Sequence, residues 1–405
     1  MRIFYASGPG SIATSHQHWR EGAHDPNLTA LTYSGQFCDF CKAMDADAYI
    51  VSHANEPTLL RDGKFTIAQM PKPDRHGYHV SQILYGLQIF LTAVKFGADY
   101  AVIQSGTTHP FMLWLFRLAG IKVIPVLHNT IWPAGYSSAG FFKRIIRKLD
   151  GLFYRWGAHA VIGVSPECLR QVAAVAHIAE SSPKLIEMRG QFSREYFEAI
   201  PKPVHGDPFL VMFAGRIFEN KGVFDLIEIA RRIESDHPGL VKWDICGAGP
   251  DLEEMTHRRD GAGLESVVNI RGHVFPAEMQ EVIARSHAAI VPTRSTFEEG
   301  MALAAVEPVL ANRPVISCSV VPASEVLGSA CIKARTDDVQ SYAEQVLRLA
   351  TNEQDYLAAS AACDRVKEQF LNRNLGFAAG LGRAFVLGVN EATAPAKAAS
   401  VATDW

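Results

Sequence analysis

Short apolar runs of strand length alternate with longer segments of helical periodicity along most of this chain. The apolar runs at residues 100–104 and 122–127 lack a regular polar alternation, as expected for strands buried on both faces of a parallel sheet. Residues 80–96 place apolar side chains at i, i+3, i+4 and i+7, which predicts a helix. Because the two patterns alternate, the chain is predicted to be an α/β protein with parallel sheets.

The same two patterns define the predicted elements over the whole chain. Residues 55–78 are polar and contain three prolines, so they are predicted to form a long loop. The predicted strands are residues 2–6, 48–52, 100–104, 122–127, 160–164, 184–188, 209–213, 243–246, 267–271, 287–291 and 314–317. The predicted helices are residues 80–96, 110–119, 142–156, 223–233, 276–286, 301–310, 339–349 and 354–370, with a further one that begins after Ser165.

The length of the chain indicates more than one domain. A chain of 405 residues is too long for one ordinary hydrophobic core. The predicted domains are residues 1–200 and 207–375, joined by a proline-containing linker. Residues 390–405 are rich in Ala, Thr and Ser, and a disordered tail is predicted there.

Composition and charge exclude several classes of protein. With 48% hydrophobic and 20% charged residues, the chain is expected to be globular. A net charge of −3 gives no positive field for nucleic acid, and no apolar run is long enough to span a bilayer. The first residues, MRIFYAS, indicate a strand rather than a signal peptide. Seven scattered cysteines fit a reducing compartment, so a cytoplasmic location is expected.

The most informative stretch is residues 292–316, which follows a predicted buried strand. It contains Glu299 and Gly300, and then a helix that is apolar on nearly every side but includes Glu307. A buried carboxylate without a partner is costly, so we expect Glu307 to have a dedicated hydrogen-bond donor. A strand, a glycine-containing loop and a helix N-terminus in this order form an anion site, because the first-turn amides are unpaired.

Two glycine turns come after predicted strands earlier in the second half. Gly215 and Arg216 form the first turn, and Lys221 lies five residues beyond Arg216. Gly247 and Gly249 form the second turn. Ligands of open parallel sheets bind at the carboxyl ends of the strands, and Arg and Lys at this edge can neutralise phosphate.

These spaced elements resemble the retaining glycosyltransferases of family four, which have the GT-B fold, two doubly wound Rossmann-like domains facing a central cleft. The E-x7-E pattern of Glu299 and Glu307 is similar to the signature of that family. The resemblance implies that Glu299 and the amides of Gly300, Met301 and Ala302 contact the donor sugar, and that Glu307 holds the nucleotide ribose. The family usually has E-G-F-G where this chain has E-G-M-A, so Ala302 replaces a glycine.

The glycine turns have counterparts in the same family. Gly215-Arg216 with Lys221 resembles its G-R-x4-K-G element, whose Arg and Lys neutralise the donor diphosphate. Since negative charge grows on the leaving nucleotide, such cations lower the barrier, and the resemblance implies catalytic roles for Arg216 and Lys221 without a metal. Gly247 and Gly249 resemble the turn that lies beside the nucleotide.

The first half contributes weaker candidates. Gly8 and Gly10 follow the first strand and are the candidates for an approach to the donor phosphates, with a plain turn as the alternative. The resemblance implies that His128, just after a strand, lies near the donor sugar, although a packing role stays open. His109 is the weaker candidate for the same place.

Two patterns that suggest metal sites are interpreted otherwise. His16, His18, Cys38 and Cys41 could supply zinc ligands, but the second half of the usual spacing is missing, so packing is favoured. The D-x-D at residues 45–47 precedes its strand instead of following it, so a solvated turn is predicted. Neither a metal nor another cofactor is expected.

Residues 142–156 combine apolar side chains at helical spacing with five cations and one acid. A basic amphipathic helix with aromatic residues can lie on an anionic membrane surface. The alternative is a helix that packs its apolar face on the sheet and leaves its basic face in solvent. The five cations are Lys143, Arg144, Arg147, Lys148 and Arg155.

The resemblance implies transfer of a sugar from a nucleotide-diphosphate sugar to an acceptor hydroxyl, with retention of the anomeric configuration, in polysaccharide or glycoconjugate assembly. The acceptor is expected to be a glycan or a lipid-linked glycan, reached at the inner face of the membrane if residues 142–156 bind lipid. It also implies a helix within residues 376–389 that crosses back to the first domain. A nucleotide-sugar epimerase and a non-catalytic nucleotide-sugar-binding protein are the alternatives.

Overall fold

A computed structural model describes residues 1–73, 77–137 and 139–387. Within these residues the chain forms two α/β halves, each built on its own sheet. The strands of the first sheet, β1 to β8, are Arg2–Pro9, Asp47–His53, Thr58–Asp62, Phe65–Met70, Tyr100–Gln104, Lys122–Leu127, Val161–Gly163 and Leu185–Glu187. The helices of this half, α1 to α7, are Ile12–Glu21, Tyr33–Ala43, Tyr78–Phe96, Trp114–Leu118, Phe141–Leu152, Pro166–Ala176 and Arg194–Glu198.

The second half repeats the same plan, and the predicted linker falls between the two sheets. Its strands, β9 to β14, are Phe209–Ala214, Val241–Cys246, Val268–Gly272, Ala288–Val291, Val315–Ser317 and Cys331–Lys333. Its helices, α8 to α15, are Val223–Asp236, Leu252–Gly261, Pro276–Arg285, Leu303–Leu310, Ala323–Val326, Val339–Thr351, Glu353–Val366 and Phe377–Val386.

Both sheets are doubly wound. The first has the order β3-β4-β2-β1-β5-β6-β7-β8, in which only β3 is antiparallel to its neighbour, and the second has the all-parallel order β11-β10-β9-β12-β13-β14. The strand order reverses beside β1 and β5 in the first sheet and beside β9 and β12 in the second. Ligands of such sheets bind at the carboxyl ends of the strands at this reversal. The predicted fold class, two Rossmann-like domains, is confirmed.

The last described helix, α15, packs on the first domain. The Phe377 N–H donates to the side-chain oxygen of Gln36 (2.8 Å), and the Phe385 ring stacks on that of Tyr100 with centroids 4.1 Å apart. The last described helix thus follows the second domain in the chain and contacts α2 and β5 of the first. The predicted tail, residues 390–405, lies outside the described residues.

Three local predictions were wrong. Residues 55–78 contain the hairpin β3–β4, in which Gly63 takes a positive φ of 55°, and Asp-Gly is a known hairpin signal. The helix predicted from residue 301 begins at Leu303, after a left-handed residue. Helix α5 ends at Leu152, and a wider helical turn, Phe153–Gly157, follows it.

No helix in the described part of the chain is long and apolar enough to cross a membrane.

Candidate active site

The carboxyl ends of β9 and β12 bring Lys221 next to Glu299. The Lys221 ammonium donates to the Glu299 carboxylate, and its Nζ lies 4.1 Å from the centroid of the Phe297 ring. The Thr293 hydroxyl donates to the same carboxylate oxygen (3.4 Å). Because both charged groups are largely removed from solvent, each needs the other as a counter-ion.

Gly300 brings the second domain into direct contact with the first. A Cβ at Gly300 would collide with the carbonyl oxygen of His128 and would lie 3.3 Å from the Cα of Asn129. This approach of two backbones requires glycine. The loop that carries Glu299 therefore crosses the cleft and packs on His128 and Asn129 at the end of β6.

His128 presents an unpaired ring nitrogen beside this loop. Its backbone N–H donates to the Ser105 hydroxyl (3.0 Å), and its ring lies against Tyr33 with centroids 4.5 Å apart. Within the described residues its Nε2 is buried without a hydrogen-bond partner. Burial lowers the pKa of His128 to about 4, so the imidazole is neutral at neutral pH and Nε2 is left for a ligand.

Ala302 adopts a left-handed backbone conformation, which glycine takes without strain. Its φ of 60° and ψ of 79° lie in the left-handed region, which costs a residue with a side chain about 1 kcal/mol. Met301, just before it, is buried. The helix α11 begins only after this residue, so the sequence E-G-M-A is a loop whose amides lie ahead of the helix N-terminus.

Glu307 faces a polar side chain of the other domain, that of Thr29 in the loop between α1 and α2. Thr29 is therefore the candidate for the dedicated donor expected for this half-buried carboxylate. Burial raises the pKa of the Glu307 carboxyl group to about 7, and the Thr29 side chain opposes this shift. The carboxyl group therefore ionises at a higher pH than an exposed glutamate does.

Arg216 lies at the end of β9 with its side chain exposed. Within the described part of the chain it takes part in no hydrogen bond or ion pair through its guanidinium. The turn that carries it is fixed by two close approaches: a Cβ at Gly247 would collide with the Gly215 carbonyl, and one at Gly249 with the Ile217 carbonyl. Gly247 and Gly249 thus have a packing reason to be glycine, and they hold the Arg216 turn in place.

Gly8 and Gly10 lie at the reversal of the first sheet. The Gly8 N–H donates to the Gln104 side-chain oxygen (2.9 Å). Gly10 has a φ of 136°, and its carbonyl accepts from the Ser52 hydroxyl (2.8 Å). Both glycines thus lie at the carboxyl end of β1, at the edge of the first sheet where its strand order reverses.

The histidines and cysteines of α1 and α2 pack together. His16 Nε2 lies 3.0 Å from the Asp62 carboxylate and its Nδ1 lies 3.8 Å from the Cys38 sulfur. Burial raises the pKa of the Cys38 and Cys41 thiols. In the part of the chain that the structure describes, no three or more His, Cys, Asp or Glu side chains form a group suited to a metal. Asp45 sits in a turn and pairs with Lys64 (2.8 Å).

A cavity of about 230 Å³ that was not predicted from the sequence lies between the ends of β5 and β6 and helix α5, and Glu298 is one of its lining residues. Asp150 lies buried in its wall, accepts from the Phe111 N–H (2.9 Å), and has its pKa raised to about 7 by burial. The Thr130 hydroxyl, also in the wall, is buried without a partner among the described residues. His109 lines this cavity and not the Gly300 loop. The one signal for Asp150 was its position as the single acid in a basic helix.

A second missed contact joins the domains. Arg170 of α6 donates through its guanidinium to both carboxylate oxygens of Glu325 (3.0 Å for the NH1 bond). Glu325 lies in the short helix α12 of the second domain. This pair is a further contact between the two halves, in addition to that at Gly300.

Comparisons with known proteins agree with this geometry. Residues 208–352 match the family model described as Glycosyl transferases group 1, and this segment includes Arg216, Lys221, Glu299 and Glu307. The gpi3 subunit of phosphatidylinositol N-acetylglucosaminyltransferase from Schizosaccharomyces pombe is 26% identical over 242 residues, which are 60% of this chain and 50% of that protein. The 2-deoxystreptamine N-acetyl-D-glucosaminyltransferase of Niallia circulans is 25% identical over 145 residues, 35% of this chain and 36% of that protein. The matches thus span half or less of each curated relative.

Solved structures resemble nearly the whole chain. HepE of Anabaena in complex with UDP superposes with a TM-score of 0.63 at 14% identity, covering 92% of this chain and 96% of that one. WaaG, a glycosyltransferase involved in lipopolysaccharide biosynthesis, gives 0.65 at 12% identity over 96% and 100%. Sucrose-phosphate synthase of Thermosynechococcus elongatus gives 0.68 at 13% identity over 95% and 98%. These likenesses show that the chain has the GT-B fold.

Proposed function

We propose that this protein is a glycosyltransferase that moves a sugar from a nucleotide-diphosphate sugar to an acceptor hydroxyl with retention of the anomeric configuration. The observation that carries the proposal is the ion pair of Lys221 and Glu299, which joins two separate sequence elements in the cleft. The match of residues 208–352 to a glycosyltransferase family model supports it.

In this proposal two cations stabilise the leaving nucleotide. Arg216 is exposed and unpaired within the described residues, so its planar fork is available to the diphosphate. Lys221 lies at the edge of the same cleft and adds a second, localised positive charge beside the diphosphate. Fixed cations at the leaving group lower the barrier, because negative charge develops there in the transition state.

The remaining residues position the donor. Glu307 accepts from the ribose hydroxyls, which take the place of Thr29. Glu299 and the amides of Gly300, Met301 and Ala302 orient the sugar. His128 contacts it through the unpaired Nε2.

On the other side of the donor, Gly8 and Gly10 approach the phosphates. The cavity with Asp150 and Thr130 receives the acceptor, a glycan or a glycan carried on a lipid, in polysaccharide or glycoconjugate assembly. No side chain is assigned as a nucleophile.

The donor class to test first is a UDP sugar, with N-acetylglucosamine as the first sugar. Both curated relatives are N-acetylglucosaminyltransferases by name, and HepE, of similar fold, is solved with UDP. Calorimetric titration with UDP, GDP and ADP tests the base. We expect one nucleotide to bind wild type and the Glu180→Ala control, an exposed site, and to bind Glu307→Ala at least ten-fold more weakly.

Turnover separates the proposal from its alternatives. A transferase consumes the donor sugar when an acceptor from a glycan panel is present, and NMR of the product shows the anomeric configuration. An epimerase converts the donor without an acceptor, and a binding protein leaves it intact. Binding of none of the three nucleotides would contradict all three functions.

Metal independence is part of the proposal, because Arg216 and Lys221 supply the positive charge at the diphosphate. Transfer should therefore proceed at an unchanged rate after treatment with EDTA. A loss of activity that Mg²⁺ or Mn²⁺ restores would show that the two side chains do not suffice.

A further inference from the structure

A cavity of about 440 Å³ lies between α1, α2, the loop that joins these two helices and the segment that begins α15. Sites for small molecules typically have volumes of about 300–1,000 Å³. None of the residues proposed to hold the donor lines this cavity. It is therefore a second place in the molecule where a small molecule can be enclosed.

Three cations line this cavity without an acidic partner. Arg20 lies in the last turn of α1, Lys42 in the last turn of α2, and Arg373 in the turn just before α15. Within residues 1–73, 77–137 and 139–387, none of the three side chains takes part in a hydrogen bond or an ion pair. Cationic side chains form strong hydrogen bonds with phosphate, so these three can bind an anion without first losing a partner in the protein.

The acids of the cavity can accept hydrogen bonds from hydroxyl groups. One carboxylate oxygen of Asp39 accepts from the Trp19 indole N–H (2.7 Å), and one oxygen of Asp25 accepts from the Asn27 N–H (2.9 Å). Among the described residues, the second oxygen of each carboxylate accepts no hydrogen bond. An ionised carboxylate can only accept, so a hydroxyl group is a suitable partner for it. Apolar atoms of Trp19 and Leu31 complete the wall.

We infer that this cavity binds a small sugar that carries phosphate groups. Its phosphates contact the cations Arg20, Lys42 and Arg373, and its hydroxyl groups donate to Asp25 and Asp39. The bound molecule joins α1 and α2 to the segment that returns from the second domain, because Arg373 follows that domain in the chain. Phosphate and hydroxyl groups on one small body match this mixture of cations and carboxylates better than a bare anion does.

The cavity and the proposed ribose site share one loop. Residues 22–25 and 30–32 of the α1–α2 loop line the cavity, and Thr29, between these two stretches, faces Glu307. A bound sugar phosphate holds the loop in this arrangement, so Thr29 stays at the position that the ribose takes. Binding in the cavity therefore weakens nucleotide binding. This consequence rests on the proposed function, whereas the sugar-phosphate site rests on the cavity alone.

Calorimetric titration of the full chain with fructose 1,6-bisphosphate tests the site. We expect this probe to bind wild type and to bind Arg20→Ser/Lys42→Ser at least ten-fold more weakly, because hydrogen bonds to two charged groups are lost. Lys95→Ser/Arg117→Ser removes two exposed cations of the first domain that lie outside the cavity. This control has the same change in net charge and should bind like wild type. Inorganic phosphate should bind wild type at least ten-fold more weakly than the bisphosphate.

Three results would overturn the site: no binding of fructose 1,6-bisphosphate, equal binding by wild type and Arg20→Ser/Lys42→Ser, or equal affinities for the bisphosphate and inorganic phosphate. The titration is repeated with saturating UDP, which should weaken the bisphosphate by about five-fold or more, up to a limit. Thr29→Val should remove this effect. Complete displacement by UDP, also seen in Thr29→Val, would place the probe in the donor site and overturn the inference. Titration without UDP tests the cavity even if UDP does not bind, so the two failures are distinguishable.

Discussion

Lys221 and Glu299, 78 residues apart in the chain, form an ion pair where the loops after β9 and β12 meet. Both groups are largely shielded from water, and the Phe297 ring covers the ammonium on another side. A bound diphosphate would offer the ammonium a second anion of higher charge. Glu299 therefore fixes the Lys221 ammonium at a position from which it can also contact the diphosphate of a bound donor.

Replacement of Lys221 tests this arrangement. Lys221→Ala should weaken UDP binding by roughly ten- to one-hundred-fold, because hydrogen bonds to charged groups contribute about 1.5–3 kcal/mol. UMP, which lacks the terminal phosphate, should lose much less affinity. Calorimetry on both nucleotides makes the comparison, with Lys242→Ala, an exposed lysine of β10, as the control. Equal losses for UDP and UMP would exclude a contact between Lys221 and the terminal phosphate.

Arg216 should matter for transfer and not for folding. Because its exposed guanidinium holds no partner within the described residues, Arg216→Ala should change the free energy of unfolding by less than about 0.5 kcal/mol. The transfer rate should fall by on the order of one hundred-fold, as for loss of one transition-state contact. Arg216→Lys should restore part of the rate, since it returns the charge without the planar fork. A large loss of stability in Arg216→Ala would instead indicate a structural role.

The raised pKa of Glu307 predicts that pH has opposite effects on the stability of the protein and on nucleotide binding. Its pKa in the folded protein is about 7, above the usual value of about 4.3. Below its usual pKa, Glu307 is protonated in both the folded and the unfolded protein, so it does not make stability depend on pH. As pH rises the unfolded chain ionises first, so stability falls, and the loss is complete above the folded pKa. Glu307→Gln should therefore stabilise the protein by about 1–3 kcal/mol at pH 8 and leave it unchanged near pH 4, as measured by chemical denaturation.

Nucleotide affinity should follow the other direction. Ribose hydroxyls donate to the ionised carboxylate, so UDP binding by wild type should strengthen as pH rises through about 7. The phosphate of UDP itself titrates at about pH 6, which changes its binding to both proteins alike. The measured quantity is therefore the ratio of the UDP affinities of wild type and Glu307→Gln at each pH. A constant ratio from about pH 5.5 to 8.5 would remove Glu307 from the ribose site.

The interior strands were predictable because burial on both faces leaves a continuous apolar run. Tyr100–Gln104 and Lys122–Leu127 agree with prediction to the residue. The hairpin strand Thr58–Asp62 was not predicted, because it lies at the edge of the sheet. Leu59 and Leu60 are both exposed there, so no alternation of apolar and polar positions indicates a buried face. Only the Asp-Gly pair of the turn indicated it.

The parts of the site that depend on contacts between distant segments of the chain were the hardest to predict from the sequence. The spacing of Lys221 and Glu299 could be matched to a family pattern, and the structure brings them together. Thr29 and Asp150 were not predictable in this way, because their places depend on how one domain packs on the other and on which face α5 turns inward. The apolar periodicity of α5 was recognised, but periodicity alone does not say whether an apolar face meets the sheet or the solvent.

Ala302 offers the most direct test of the loop geometry. Ala302→Gly should stabilise the protein by up to about 1 kcal/mol, because glycine adopts its φ of 60° without the steric cost of a Cβ. Ala304→Gly, two residues later in the first turn of α11, should instead destabilise the protein by up to about 1 kcal/mol, since glycine loses more backbone entropy than alanine when it becomes helical. Chemical denaturation should show changes of opposite sign in the free energy of unfolding for the two variants, and a destabilised Ala302→Gly would show that the loop does not require a left-handed residue.

If the loop amides orient the donor sugar, Ala302→Gly should keep UDP affinity unchanged. Gly300→Ala, whose Cβ would collide with the His128 carbonyl, should instead lose transfer activity.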